Sequence, residues 1–316
     1  MLEDGQIAQE RQPLVPRGEK TESAISLPND LLVEVAKHLP TDDPVETVSN
    51  LTNFKLASHA VRSSVDASEV GAFQQRVKRL GTSSKELYDS AVPRDGFAEY
   101  PDFPEPDPTG EFALASQRIR AIGPVLKFQS PTRKTEIVNH ILNASDGSQQ
   151  GDALVSIAPW LHDLGKADQT RLINRAIEYF KGDGPINYDF RYNAAHTLAE
   201  VHNQLEIEQK AQIFDAIAKR PELGRLYAEE REHVQHSSSL ASTSESPRER
   251  GGDHLAGDLA EIEQKLRTGL TLGTPSPSEQ MERAKPIARS INKAYDDARA
   301  NLIGSTRDRV NTHLGR

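Results

Sequence analysis

The chain has 316 residues, 36% of them hydrophobic and 5% aromatic, and a mean hydropathy of −0.62, which is room for one or two domains with much of the chain solvated. Its formal charge of −9 and pI near 5.6 exclude a general attraction to nucleic-acid backbones or anionic membranes. Cysteine is absent, which excludes disulfides and thiolate metal sites and fits a reducing compartment.

Residues 1–22, polar and aperiodic, read as a disordered arm. Their opening, M-L-E-D-G-Q-I-A-Q-E-R-Q, lacks the apolar centre of a Sec signal peptide, and no apolar run in the chain approaches membrane-spanning length. A compact unit with a following helix is expected over 23–92. In A-I-S-L-P-N-D-L-L-V-E-V-A-K-H-L-P, Leu27-Pro28 enters a helix whose first turn holds Asn29 and Asp30, both suited to unpaired amides. Leu31, Leu32, Val35, Ala36 and Leu39 then give it one broad apolar face. Thr41-Asp42-Asp43-Pro44 restarts a second helix carrying Val45, Val48 and Leu51, and Asn53 opens a third with Phe54, Ala57, Val61 and Val65. Three such short helices bury too little surface to stand alone, so their apolar face must meet the rest of the chain or another protein.

Prolines and acidic residues crowd 93–110, P-R-D-G-F-A-E-Y-P-D-F-P-E-P-D-P-T-G, and mark a linker. Residues 111–230 are helical in period and repeat themselves. Glu136-Ile137-Val138-Asn139-His140, Arg171-Leu172-Ile173-Asn174-Arg175 and Gln212-Ile213-Phe214-Asp215-Ala216 share one pattern, and Asp152–Leu164 matches Asn193–Leu205. A spacing of ~40 residues is that of helix-pair, solenoid-like repeats, which usually form binding surfaces. Residues 231–278 are rich in Ser, Thr, Gly and Glu and read as a flexible linker holding one marginal helix. The last helix, within 279–304, is expected over Pro286–Leu302 with Ile287, Ile291, Ala294, Ala298 and Leu302 on one face and Gly304 as its stop. Asp296 and Asp297 read as part of its solvated side. Residues 305–316 form a tail bearing Arg307, Arg309 and Arg316. No segment reads as a strand, so the fold is expected to be all-α.

One stretch suggests chemistry. W-L-H-D-L-G-K, Trp160–Lys166, is similar to the signature of HD-type metal-dependent phosphohydrolases, in which adjacent His and Asp hold a metal ion. Further ligands could come from His140 and from Asp189 or Asp215. Against this, His162-Asp163-Leu164 pairs with Asn203-Gln204-Leu205 in the next repeat, which assigns His162 and Asp163 to the solvent side of a repeat helix. His196 and His202, six apart, do not share a helix face as ligands at i, i+4 would. No phosphate-cradling Gly loop or nucleophile elbow is present. The expectation is a protein with no catalytic residue, no metal and no cofactor.

L-P-x-x-L-L-x-E-V-A-x-x-L-P, Leu27–Pro40, resembles the opening of an F-box, the motif that inserts into the Skp adaptor of SCF-type ubiquitin ligases. The same run with D-D-P-V-E-T-V-S-N-L-T-N-F, then R-P-E-L-G-R-L-Y (Arg220–Tyr227) and P-I-A-R-S-I-N-K-A-Y-D-D-A-R-A-N-L-I (Pro286–Ile303), is similar to the VirF-like family of agrobacterial and rhizobial virulence F-box effectors. The stretch from about Gly110 to Ala218 is not covered and reads as an insertion. The resemblance implies a three-helix F-box whose Skp-binding positions are Leu27, Pro28, Leu31, Leu32, Val35, Leu39, Val45, Leu51 and Phe54. The third helix departs from the general F-box pattern in lacking its common Trp. The resemblance further implies a secretion signal at Arg307, Arg309 and Arg316, export by a type IV system into a plant cell, and a location in host cytoplasm and nucleus. Its implied partners are a host Skp-type adaptor and through it cullin, a host or co-transferred target protein, and the type IV secretion machinery, with no direct nucleic acid and no membrane. The adaptor would direct ubiquitination and proteasomal degradation of the target. The alternatives are an effector scaffold without Skp binding and the HD-type hydrolase at His162 and Asp163.

Overall fold

A computed structural model describes residues 28–91, 115–143, 147–182, 188–243, 253–269 and 277–313. Among these there are thirteen α-helices, three 3-10 segments and no strand, so the protein is all-α. The expected arm, the Pro-rich linker and Leu27 lie outside the described residues.

Helices α1 (Asn29–Lys37), α2 (Pro44–Lys55) and α3 (His59–Asp66) lead into the long α4 (Glu69–Ala91). Asp43 caps α2, its Oδ1 accepting the amides of Val45 at 2.7 Å and Glu46 at 3.1 Å, with Pro44 in the first turn where its missing N–H costs nothing. Asn29 and Asp30 open the first turn of α1 as expected, with Pro28 at its cap and Asn29 accepting a hydrogen bond from Ser64 Oγ of α3 at 2.8 Å. One local expectation fails. Asn53 and Phe54 finish α2 and do not open α3, because the Ser58 hydroxyl accepts the Val61 amide and fixes the start of α3 five residues later.

The middle runs helix, 3-10 turn, helix three times: α5 (Ala115–Ile122), Gly123–Phe128 and α6 (Pro131–Asn143); α7 (Gly147–Ile157), Ala158–Asp163 and α8 (Lys166–Lys181); α9 (Tyr188–Glu200), His202–Gln204 and α10 (Ile207–Lys219). α5, α7, α9 and then α11 (Pro221–Thr243) pack side by side in one row, and α6, α8 and α10 form a second row against it. α11 continues to Thr243, past the expected end of the helical region, so part of the Ser-rich stretch is helical. Of the sequence-matched residues, Ile137, Leu172 and Ile213 are all buried, as are Val138 and Ile173, whereas Phe214 on α10 is 58% exposed. Among the described residues no further helix of the second row follows α10.

α12 (Asp253–Gly269) and α13 (Pro277–His313) complete the fold. α13 begins nine residues ahead of Pro286 and passes through Gly304 without stopping. A glycine ends a helix only where the chain turns left-handed. Gly304 stays helical, at a cost of about 1 kcal/mol relative to alanine, and a Cβ there would meet nothing within 4 Å. Arg307 and Arg309 thus lie on helical backbone, and Arg316 lies outside the described residues. The expected apolar face of α13 is buried, with Met281, Ala284, Ala288 and Tyr295 extending it. That face packs on α4, α5, α12 and the Gly123–Phe128 turn, which sets the end of the chain between its amino-terminal unit and the first repeat-like segment.

Candidate functional site

Helix α1 carries two apolar stripes. Leu32 and Ala36 point into the protein's own core with 7% and 0% exposure, while Leu31 and Val35, also at i, i+4, remain 51% and 48% exposed. α2 divides likewise, with Leu51 fully buried and Val45 42% exposed. Leu39 and Phe54 are half-buried against the core, and Pro28 is exposed. The structure therefore brings Leu31, Val35 and Val45 to the surface and commits Leu32 and Leu51 to internal packing. Leu56, just after α2 and 75% exposed, was not singled out by the helical pattern because it falls in the turn between α2 and α3.

This unit is held rigidly. Lys37 is buried with its ammonium between Glu34 at 2.9 Å and Glu69 at 2.7 Å, which pins α1 to the start of α4 and satisfies a charge that burial would otherwise penalise. Lys55 donates to Gln74 Oε1 at 2.8 Å and pairs with Asp66, joining the end of α2 to α3 and α4. Between α2, α4 and the turn before α6 lies a groove of about 600 Å³ floored by Val45, Val48 and Phe128 and rimmed by Lys78, Lys85 and Arg133. Arg133 pairs with Asp89 at 2.6 Å and lies over the Tyr88 ring.

One residue of the last helix reaches the turn between α1 and α2. Tyr295 of α13, fully buried, donates to the Thr41 carbonyl at 2.6 Å and meets Thr47 Oγ1 at 3.0 Å; its ring packs edge-on to Phe128. Burial pushes its phenol up to about 12. Beside it, Lys127 lies over the Tyr295 ring and reaches Asp296 at 2.7 Å, and Arg299 pairs with Asp42. Asp296 is exposed, as expected for the solvated side, and also ties α13 to the first 3-10 turn.

His162 and Asp163 end the second 3-10 turn, 3.5 Å apart. His162 is exposed as expected, but Asp163 is not: only 10% of its side chain is open to solvent. Burial raises its pKa against the opposing pull of His162, Lys127 and Lys134. The Gly123–Phe128 turn packs on this one, so Asp163 lies largely inward where the repeat pairing placed it outside. Among the described residues, one group of three potential metal ligands lies within 4.8 Å, and it is His196, Glu230 and His233, without His162 or Asp163. His196 was considered with His202 and not with α11, because its partners come from a segment more than thirty positions away.

No family model matches the chain, and no solved structure matches it. Over 68 residues it is 38% identical to Virulence protein F of Agrobacterium tumefaciens (strain 15955), a stretch covering 22% of this chain and 33% of that protein. No helix among the described residues is long and apolar enough to cross a membrane.

Proposed function

We propose that this protein is a VirF-like virulence effector that enters a host plant cell and serves there as the F-box adaptor of an SCF-type ubiquitin ligase. The observation that carries the reading is the exposed apolar pair Leu31 and Val35 on α1, with Val45 exposed on α2, in a unit whose other apolar side chains already fill its own core. Apolar side chains held in the open along one helix face favour a partner's groove. Here that partner is a host Skp-type adaptor, through which cullin is reached. The partial likeness to Virulence protein F supports the virulence role and, with Leu27-Pro28 ahead of α1, the F-box reading.

In this reading the target protein is held elsewhere, on the stacked helices of the middle. Ile207 and Phe214 on α10, 82% and 58% exposed, are apolar groups suited to it. The adaptor carries out no bond-making step; it raises the effective concentration of target lysines near the ligase by tethering both. Export by the type IV route rests on the arginines at 307, 309 and 316 and on the family resemblance.

The test is a pull-down of plant Skp-type proteins by the full chain and by the Leu31→Glu, Val35→Glu double variant. Capture by the wild type and loss in the variant, with unchanged circular dichroism, is the expected result. No capture by either protein leaves an effector scaffold without Skp binding and sinks the adaptor reading.

A further inference from the structure

Glu230 and His233 stand at i and i+3 on α11 and so share one face of that helix. α9 packs on this face and contributes His196, whose Nδ1 is 2.7 Å from Glu230 Oε2; the two imidazole centroids are 6.3 Å apart. The three ligand atoms all lie within 4.8 Å of one another. Glu230 is 5% exposed, and a carboxylate at that depth requires a positive partner or strong donors. His233 is exposed, so the cluster opens to solvent on one side.

From this geometry we propose that His196, Glu230 and His233 form a binding site for a divalent ion of the zinc type, clasping α9 to α11. Two imidazoles and one carboxylate are the donor set of three-residue zinc sites, and mixed nitrogen and oxygen donors select zinc, cobalt or nickel over magnesium and calcium, which prefer all-oxygen shells. A tetrahedral ion with ligand bonds of about 2.0–2.1 Å holds its ligands about 3.3 Å apart. The widest pair therefore closes by up to about 1.5 Å and the His196–Glu230 pair opens from 2.7 Å, the ion replacing their direct hydrogen bond. Water fills the fourth position from the open side. Both helices belong to the middle module, so the clasp stiffens the row far from the α1–α2 face and stands or falls independently of adaptor function.

The test uses the full-length protein, first dialysed against chelator. Zinc chloride is expected to raise Tm and bind one equivalent tightly while magnesium chloride does neither, and cobalt is expected to give the intense visible absorption of a tetrahedral site. His233→Ala, at an exposed position, and Glu230→Gln, which keeps an acceptor for His196, each lower the affinity by no less than the ~10–100-fold that losing an outer-shell partner costs. Both variants are compared by circular dichroism without metal. A wild type that binds no equivalent of zinc or cobalt overturns the proposal. So does a zinc response undiminished in both variants, which would place the ion on other histidines of the chain.

Discussion

The hydroxyl of Tyr295 lies 2.6 Å from the carbonyl oxygen of Thr41, a hydrogen bond between residues 254 positions apart that fastens the last helix to the turn between α1 and α2. It joins two ends of the described fold that also meet through the packing of α13 on α4. The same hydroxyl meets Thr47 Oγ1, which itself donates to the Thr41 carbonyl at 3.3 Å and accepts the Thr41 amide at 2.8 Å, so loss of the phenolic oxygen removes one hydrogen bond from each group and leaves each another.

Tyr295→Phe is therefore expected to destabilise the protein by about 0.5–1.5 kcal/mol, the net worth of a hydrogen bond whose partners keep other contacts. Urea unfolding provides the measurement. A double-mutant cycle with Thr47→Val isolates the side-chain contact, and a coupling near zero would mean that the Thr41 carbonyl carries the effect.

Gly123 lies against the indole of Trp160, and a Cβ built on it would overlap Nε1 and Cδ1 of that ring. The indole is rigid and wedged between the first and second 3-10 turns, so it cannot swing aside cheaply. Gly123→Ala is expected to cost about 1–3 kcal/mol through overpacking. Because Trp160 is the chain's one tryptophan, its emission maximum reports the displacement directly; an unchanged spectrum and Tm would refute the close approach.

His140 offers a pH-dependent test. Burial, with Arg118 adding to it, lowers its pKa from 6.5 to about 4. The folded state then holds fewer protons than the unfolded state between these values, and stability present above pH 6.5 declines as pH falls toward 4. The full shift converts to about 3 kcal/mol at 1.36 kcal/mol per unit, and partial solvent access reduces that to about 2. The difference in stability between wild type and His140→Gln should shrink over that window; a difference that is flat with pH contradicts the lowered value.

The divided apolar faces of α1 and α2 predict divided mutational effects. Leu51→Ala, at a fully buried position, should cost about 2–5 kcal/mol in thermal or chemical unfolding. Leu31→Ala and Val35→Ala should each stay within about 0.5 kcal/mol. If the exposed pair destabilises as much as the buried residue, the outward stripe is part of the core and not available to a partner.

Helix content and several helix faces were legible in the sequence because they rest on local physics. Asp43-Pro44 supplies a cap and a preset first turn whatever surrounds it, and the 3.6-residue period of Ile287, Ile291, Ala294, Ala298 and Leu302 names the buried side of α13. Periodicity could not tell Leu31 and Val35 from Leu32 and Ala36, since all four fall on one broad arc; only the placement of α3, α4 and α13 fills one edge of that arc and leaves the other open. Gly304 permits a helix stop, and the tertiary path of α13 does not use it. Asp163 was assigned outward by analogy with Gln204, but burial depends on what packs above a turn. His196, Glu230 and His233 were unreadable as a group because spacing along one helix says nothing of which face a later helix will meet. The sequence by itself determined where helices form and which side of each is apolar, because caps, prolines and period act within a few residues. Which apolar groups stay exposed, and which polar groups meet, was decided by the tertiary structure, because burial and long-range pairing depend on elements brought together from distant parts of the chain.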